Sequence, residues 1–177
     1  MKHSMAYVWG FLVGILCVGL ITALIAWIVY KINGSKRGKY DERQELARGR
    51  AFKFAYTVLV VYLMGTGIFN MMTGIRWCDE FTYGMIGVLS SVFVYACICI
   101  WNDAYININQ KPVTVILILG GIGLINLLIS LQNLKYGAWY ENGMLTFRSV
   151  NLMCAVSLLL LTIMFVVKLL VDKHREE

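Results

Sequence analysis

The arrangement of this chain follows from residues 31–53, which read KINGSKRGKYDERQELARGRAFK. This segment carries half of the sixteen Lys and Arg residues and lies between two long apolar runs. Residues 33–35 (Asn-Gly-Ser) are predicted to end the first helix. Asp41 then has the sequence pattern of a helix N-cap, with Gln44 at the third helical position. We therefore expect a basic stalk, residues 31–50, that continues as helix into the second apolar run.

The composition is that of a membrane protein. The 177 residues are 59% hydrophobic and 15% charged, whereas soluble domains are about 45–50% apolar and about 25% charged. The mean hydropathy of +0.70 agrees with this. The net charge of +6 is concentrated in one segment, so a positive cytoplasmic loop explains it better than a nucleic-acid partner does.

Five apolar runs are each long enough to cross a hydrocarbon core of ~30 Å at ~1.5 Å per residue. The first run ends in Trp-Ile-Val-Tyr (27–30) before the basic segment, which favours a retained anchor over a cleaved signal peptide. We expect an all-α integral membrane bundle that forms one domain, residues 1–177. Its predicted spans are residues 7–30, 51–73, 81–101, 113–131 and 148–171.

The orientation follows from where the cations fall. With the N-terminus outside, twelve Lys and Arg residues lie on the inner side and four on the outer side, so the positive-inside bias favours an N-out, C-in topology. Pro112 stands where the fourth span begins, the position at which its missing N–H is tolerated. In the longest outer connection, residues 132–147, Asn142-Gly143 predicts a type I′ turn and hence a short hairpin or cap.

No residue pattern points to catalysis. Asp, Glu and His are absent from the interior of all five runs, which argues against an ion-coupled transporter or an intramembrane hydrolase. The five Cys residues show neither a disulfide framework nor zinc-ligand spacing. We therefore predict no catalytic, cofactor-binding or metal-binding residues and no cofactor.

The polar residues of the runs lie toward the outer side. Asn70, Asn126 and Asn151 are at similar depth, with Arg148 at the same level. They are candidates for an outward-facing pocket that takes a small polar ligand. The alternative is that each amide separately bonds a neighbouring backbone or hydroxyl group.

The basic segment and the inner loop near Asp103 form a second candidate site. Cations next to a membrane attract anionic lipid by ~1 kcal/mol each. Asp103 is a candidate partner for a stalk cation, and the alternative is that it is a plain solvated charge. A membrane lipid or a cytoplasmic protein is the expected partner, and a homo-oligomer is a further alternative. Gly10 and Gly14 form a GxxxG, which lets another helix approach closely but is common by chance in Gly-rich membrane segments. The candidate contact residues are Lys36, Arg37, Lys39, Asp41, Arg43, Arg48, Arg50 and Asp103.

Three stretches resemble an uncharacterised family of small multi-pass membrane proteins of Gram-positive bacteria with a juxtamembrane Asp-Glu-Arg-Gln motif. They are residues 39–44 (KYDERQ) followed by 48–53 (RGRAFK), residues 102–106 (NDAYI), and residues 143–148 (GMLTFR) followed by Asn151 and Leu152. The resemblance implies a bacterial cell-membrane location and a protein that holds or signals to a cytoplasmic partner. It implies no catalytic residues.

Two functions follow as expectations. The first is a non-enzymatic interaction or regulatory protein whose basic stalk docks a partner or anionic lipid. The alternative is a small-molecule-binding or transport subunit with an outer-facing pocket.

Overall fold

The computed structural model describes residues 40–107, 110–137 and 139–176, together with residues 16, 20, 21, 23, 24, 27 and 28. The chain forms two compact units, residues 1–39 and 40–177. The described residues of the first unit are helical. Most of the predicted span 7–30 lies outside the described residues, as do Lys36, Arg37 and Lys39.

The second unit consists of four helices, each long and apolar enough to cross a membrane. A multi-pass, all-α membrane bundle is therefore confirmed, with four candidate spans in the described residues where the sequence predicted five for the whole chain. The helices pack side by side in the order α1, α2, α4, α3. Their bounds are α1 Glu42–Thr73, α2 Glu80–Trp101, α3 Pro112–Lys135 and α4 Val150–Glu176, with a 3₁₀ turn, Phe147–Ser149, before α4.

The predicted start of α1 is confirmed. The Gln44 N–H donates to Asp41 Oδ1 at 2.7 Å, and the Asp41 N–H donates to Gln44 Oε1 at 3.2 Å, so both backbone donors are satisfied. The helix then runs through 32 residues, about 48 Å at ~1.5 Å per residue. Pro112 occupies the first turn of α3, as predicted.

Small side chains bring α1 close to α2. Ala47, Ala51 and Ala55 recur every fourth residue and are buried, and the first two form one cluster with Cys99 at the end of α2. Small residues at this spacing let two membrane helices approach closely. This stripe was not predicted, although its spacing is readable from the sequence.

The connection between α3 and α4 contains the predicted hairpin. Asn142 and Gly143 have φ of 53° and 77°, and a type I′ turn requires positive φ at both central residues. The strands are antiparallel, with Tyr140 opposite Leu145. They are β1, Tyr140–Glu141, and β2, Met144–Leu145.

The hairpin also binds the connection between α1 and α2. The Leu145 N–H donates to the Trp77 carbonyl and the Asp79 N–H donates to the Leu145 carbonyl, both at 2.9 Å. Trp139 Nε1 donates to the Ser130 carbonyl of α3 at 3.2 Å. At this end of the unit the two connections therefore form one hydrogen-bonded cap.

Asp79 and Cys78 occupy the middle of this cap. Burial raises the pKa of the Asp79 carboxyl, but hydrogen bonds from Thr82, Phe147 and Phe81 outweigh burial and hold the pKa below its ordinary value. The Thr82 N–H lies 2.6 Å from Asp79 Oδ1, so Asp79 is the N-cap of α2. Cys78 is buried and unpaired, and burial, with a contribution from Asp79, raises its pKa to about 11.

Candidate functional site

The cations of the described residues gather at one end of the four-helix unit, which we call the basic end. It is formed by the first turns of α1 and α3, the last turns of α2 and α4, and the loop between α2 and α3. The opposite end, with the hairpin, carries Arg76, Lys135 and Arg148. The basic end carries Arg43, Arg48, Arg50, Lys53, Lys111, Lys168, Lys173 and Arg175.

One side of α1 presents a set of basic side chains to its surroundings. Arg43, Leu46, Arg50 and Lys53 are all exposed, and their Cα positions fall within an arc of about 80° at ~100° per residue. We call these four residues the α1 face. Leu46 is 59% exposed among the three cations, so the face combines positive charge with an apolar side chain.

An aromatic belt begins beside the α1 face. Phe52, Phe54 and Tyr56 follow along α1 and are 67%, 61% and 62% exposed. Trp101, in the last turn of the neighbouring α2, is 57% exposed. Tyr and Trp side chains are enriched at headgroup level at both ends of a span, because their rings are amphipathic. Arg50 and Lys53 of the α1 face are next to Phe52 in the chain, and Arg43 lies about 14 Å from Phe52 along the helix at ~1.5 Å per residue.

The opposite side of α1 is bound to the loop between α2 and α3. Gln44 Nε2 donates to the carbonyl oxygens of Asp103 at 2.6 Å and of Ile106 at 3.4 Å. Arg48 Nη1 donates to the Ala104 carbonyl at 3.3 Å, and its guanidinium lies 4.2 Å from the centre of the Tyr40 ring. Arg48, predicted as a contact residue, therefore holds the helix against the loop.

Asp103 pairs with a cation of α4, whereas the sequence suggested a cation of the stalk as its partner. Lys168 Nζ lies 3.1 Å from the Asp103 carboxylate and 2.7 Å from that of Asp172. The Lys168 side chain is 11% exposed, and a cation so placed needs carboxylate partners to offset its lost hydration. The three side chains border a hollow of about 160 Å³ whose wall includes Tyr105 and Phe165.

The residues predicted for an outer pocket are spread over several helices. Asn70 is on α1 and Asn126 on α3, the two outermost helices of the row. Asn126 Nδ2 donates to the Ile122 carbonyl of its own helix at 2.9 Å. Asn151 is half-buried on α4, and Arg148 lines a separate hollow under the hairpin.

Asn70 alone of these four lines a hollow between α1 and the start of α2. The hollow has a volume of about 440 Å³ and is also lined by Arg76, Glu80 and Tyr83. The Tyr83 hydroxyl donates to Asn70 Oδ1 at 2.9 Å. Arg76 and Glu80 are 4.0 Å apart and mostly exposed.

Several residues of the basic end were not predicted as site residues. Lys53 and Leu46 lie on the same side of α1 as Arg43 and Arg50 because of their helical spacing. This spacing can be read from the sequence once the start of the helix is known. Lys168 lies inside the last apolar run and Asp172 directly follows that run, and the two form an i,i+4 pair. Gln44 was predicted only as part of the capping box.

No group of three or more His, Cys, Asp or Glu residues is placed to hold a metal ion within the described part of the chain. Comparisons with models of protein families, with curated proteins and with solved structures find no match for the chain. The functional assignment therefore rests on the geometry of the basic end.

Proposed function

We propose that the chain is a non-enzymatic integral membrane protein of a bacterial cell membrane whose α1 face binds anionic lipid headgroups on the cytoplasmic side. The proposal includes five transmembrane helices in an N-out, C-in orientation, with residues 7–30 as the first. The length of that apolar run supports the fifth helix. The excess of cations at the basic end supports the orientation.

The observation that carries the proposal is the position of Arg50 and Lys53 of the α1 face directly beside the aromatic belt. Cations close to a membrane surface attract anionic lipid by ~1 kcal/mol each. Arg43 extends the same basic face about 10 Å beyond Arg50 at ~1.5 Å per residue. Because Gln44 and Arg48 bind the other side of the helix to the loop, the face is held in one orientation before lipid arrives.

The test compares two variants with the same loss of charge. In the first, Arg43, Arg50 and Lys53 are each changed to Gln, and in the control Arg76, Lys135 and Arg148 are each changed to Gln. Delipidated protein is titrated with phosphatidylglycerol and with phosphatidylcholine, and native mass spectrometry gives the ratio of the two dissociation constants.

The first variant is expected to lose preference for the anionic lipid by up to roughly a hundredfold, since ~3 kcal/mol corresponds to that factor. The control is expected to keep its preference. Equal losses in both variants contradict the proposal. Three results together would replace lipid by a cytoplasmic protein as the partner. A photo-crosslinker at Leu46 captures a protein in cells, the first variant no longer captures that protein, and the ratio of the two lipid dissociation constants is unchanged in the first variant.

A second function, a small-molecule-binding or transport subunit, is supported by the hollow at Asn70. Its wall offers an amide, a phenol and a pair of opposite charges, Arg76 and Glu80, which suit a small zwitterion. Stabilisation by free amino acids, measured as a rise in melting temperature and abolished by Asn70→Leu, supports this function. If none of the twenty amino acids changes the melting temperature, this second function loses its support.

A further inference from the structure

The loop of residues 102–107 is held from two helices at once. On one side, Gln44 and Arg48 of α1 donate to three of its carbonyl oxygens. On the other side, Lys168 of α4 binds the Asp103 carboxylate at 3.1 Å. The carbonyl and the carboxylate of Asp103 therefore face different helices, so this residue connects α1 to α4.

The backbone of Asp103 is unusual for its residue type. Its φ is 56°, in the left-handed region that favours glycine. It occupies the position after the α2 C-cap, where the Ala104 N–H donates to the Cys99 carbonyl at 2.8 Å and the Asp103 N–H to the Ile100 carbonyl at 3.2 Å. These two bonds form a Schellman motif, which usually has Gly at this position. An Asp here supplies what Gly lacks, a carboxylate for Lys168.

The first two turns of α1 depend on this loop because they extend past the end of α2. Arg48 already lies level with Ala104, beyond the last helical residue of α2, Trp101. Ala104 is fully buried and packs with Ala47 and Ala51. A displacement of the loop therefore removes both hydrogen bonds and apolar contact from the helix segment that carries Arg43 and Leu46.

We propose that Asp103 is a positioning residue for the α1 face. Its pairing with Lys168 fixes the 102–107 loop, and the loop fixes the first two turns of α1. The last turns of α4 thereby control the order of the basic segment at the start of α1. This inference rests on the proposed function only in calling that segment a docking face. The coupling itself needs no lipid.

The test measures hydrogen exchange in the full chain in phosphatidylcholine nanodiscs, without anionic lipid. Asp103→Asn, Asp103→Gly and Lys168→Met are each expected to raise amide exchange of residues 46–50 at least tenfold. Asp172→Asn is the matched control, because it removes a carboxylate from Lys168 but leaves the Asp103–Lys168 pair. It is expected to change the exchange of residues 46–50 less than threefold.

Asp103→Gly separates the ionic contact from the backbone conformation. Gly adopts the left-handed conformation at least as well as Asp. Unchanged amide exchange in this variant would therefore show that the left-handed backbone at the end of α2 is sufficient to order the loop without the carboxylate, and it would overturn the proposal. Increased exchange throughout α2 in all three variants also overturns it, because the pair then stabilises the whole bundle. Lipid preference of the same variants is measured separately, by the native mass spectrometry described above. If residues 46–50 exchange faster but the preference for anionic lipid is unaffected, the coupling stands and the docking function fails.

Discussion

The contact between Gly87 of α2 and Tyr62 of α1 gives the most quantitative prediction. A Cβ atom at position 87 would lie 2.7 and 2.9 Å from two ring carbons of Tyr62 and 3.2 Å from Leu59 Cδ1. The ring has little freedom to move, because the Tyr62 hydroxyl donates to the Tyr83 carbonyl at 3.1 Å. Gly87→Ala must therefore push α1 and α2 apart.

The size of the effect follows from two opposing terms. Overpacking a close contact costs about 1–3 kcal/mol, and replacing Gly by Ala in a helix returns about 1 kcal/mol. We expect Gly87→Ala to lower the free energy of unfolding by up to about 2 kcal/mol. A Cβ atom at Gly84, one turn earlier, would meet no neighbouring atom within 4 Å. Gly84→Ala should therefore be neutral or stabilising by up to about 1 kcal/mol.

Equilibrium unfolding in mixed micelles, followed by tryptophan fluorescence, measures both variants. Trp77 is a local reporter, since its ring centre lies 4.9 Å from that of Tyr83. A double-mutant cycle with Tyr62→Ala isolates the contact. In that background Gly87→Ala should lose most of its cost. The reasoning is refuted if Gly87→Ala and Gly84→Ala are equally tolerated, or if the cost at position 87 persists without the Tyr62 ring.

Three further predictions concern other parts of the unit. Gly123→Ala places a carbon 3.1 Å from Leu159 and should lower the free energy of unfolding by about 1–2 kcal/mol. Gly121→Ala should not lower it, because a Cβ atom at position 121 would meet no neighbouring atom within 4 Å. Similar melting temperatures for these two variants would contradict this prediction. The pKa of the Asp79 carboxyl is lowered in the folded chain, so the ionised carboxylate stabilises the fold. This stabilisation is complete above the unfolded pKa of about 4 and is lost as pH falls through the lower folded pKa. The difference in melting temperature between wild type and Asp79→Ala should therefore shrink as the pH is lowered from 6 to 2, and a constant difference would contradict this prediction. The pKa of the Cys78 thiol is about 11, so about 0.1% of the thiol should be ionised at pH 8. Alkylation of Cys78, followed by mass spectrometry, should therefore be at least a hundredfold slower in the folded chain than in the unfolded chain. Equal alkylation rates would show that the thiol is accessible.

Local sequence signals predicted the boundaries of the elements well. Asp41 with Gln44, Pro112 and Asn142-Gly143 each act through contacts within four residues, so the sequence contains everything needed to identify the helix starts and the turn. The lengths of the apolar runs were equally informative, because a bilayer requires a minimum length.

Long-range pairing could not be predicted in the same way. Asp103 and Lys168 are 65 residues apart, and nothing in the local pattern indicates that α4 rather than α1 supplies the partner. The order of helices in the row likewise separates Asn70 from Asn126, although the sequence predicts a similar depth in the membrane for both. Depth along a span is readable from the chain, but the neighbours of a span depend on packing between helices.

The central claim is that the basic end faces the cytoplasm and the hairpin end faces outward across a membrane. Glu45→Cys and Glu141→Cys, each in a Cys78→Ser background, place one exposed thiol at each end. Intact cells are treated with a membrane-impermeant maleimide and then permeabilised. We expect labelling at position 141 in intact cells and at position 45 only after permeabilisation. Labelling at position 45 in intact cells would contradict both the orientation and the cytoplasmic docking face.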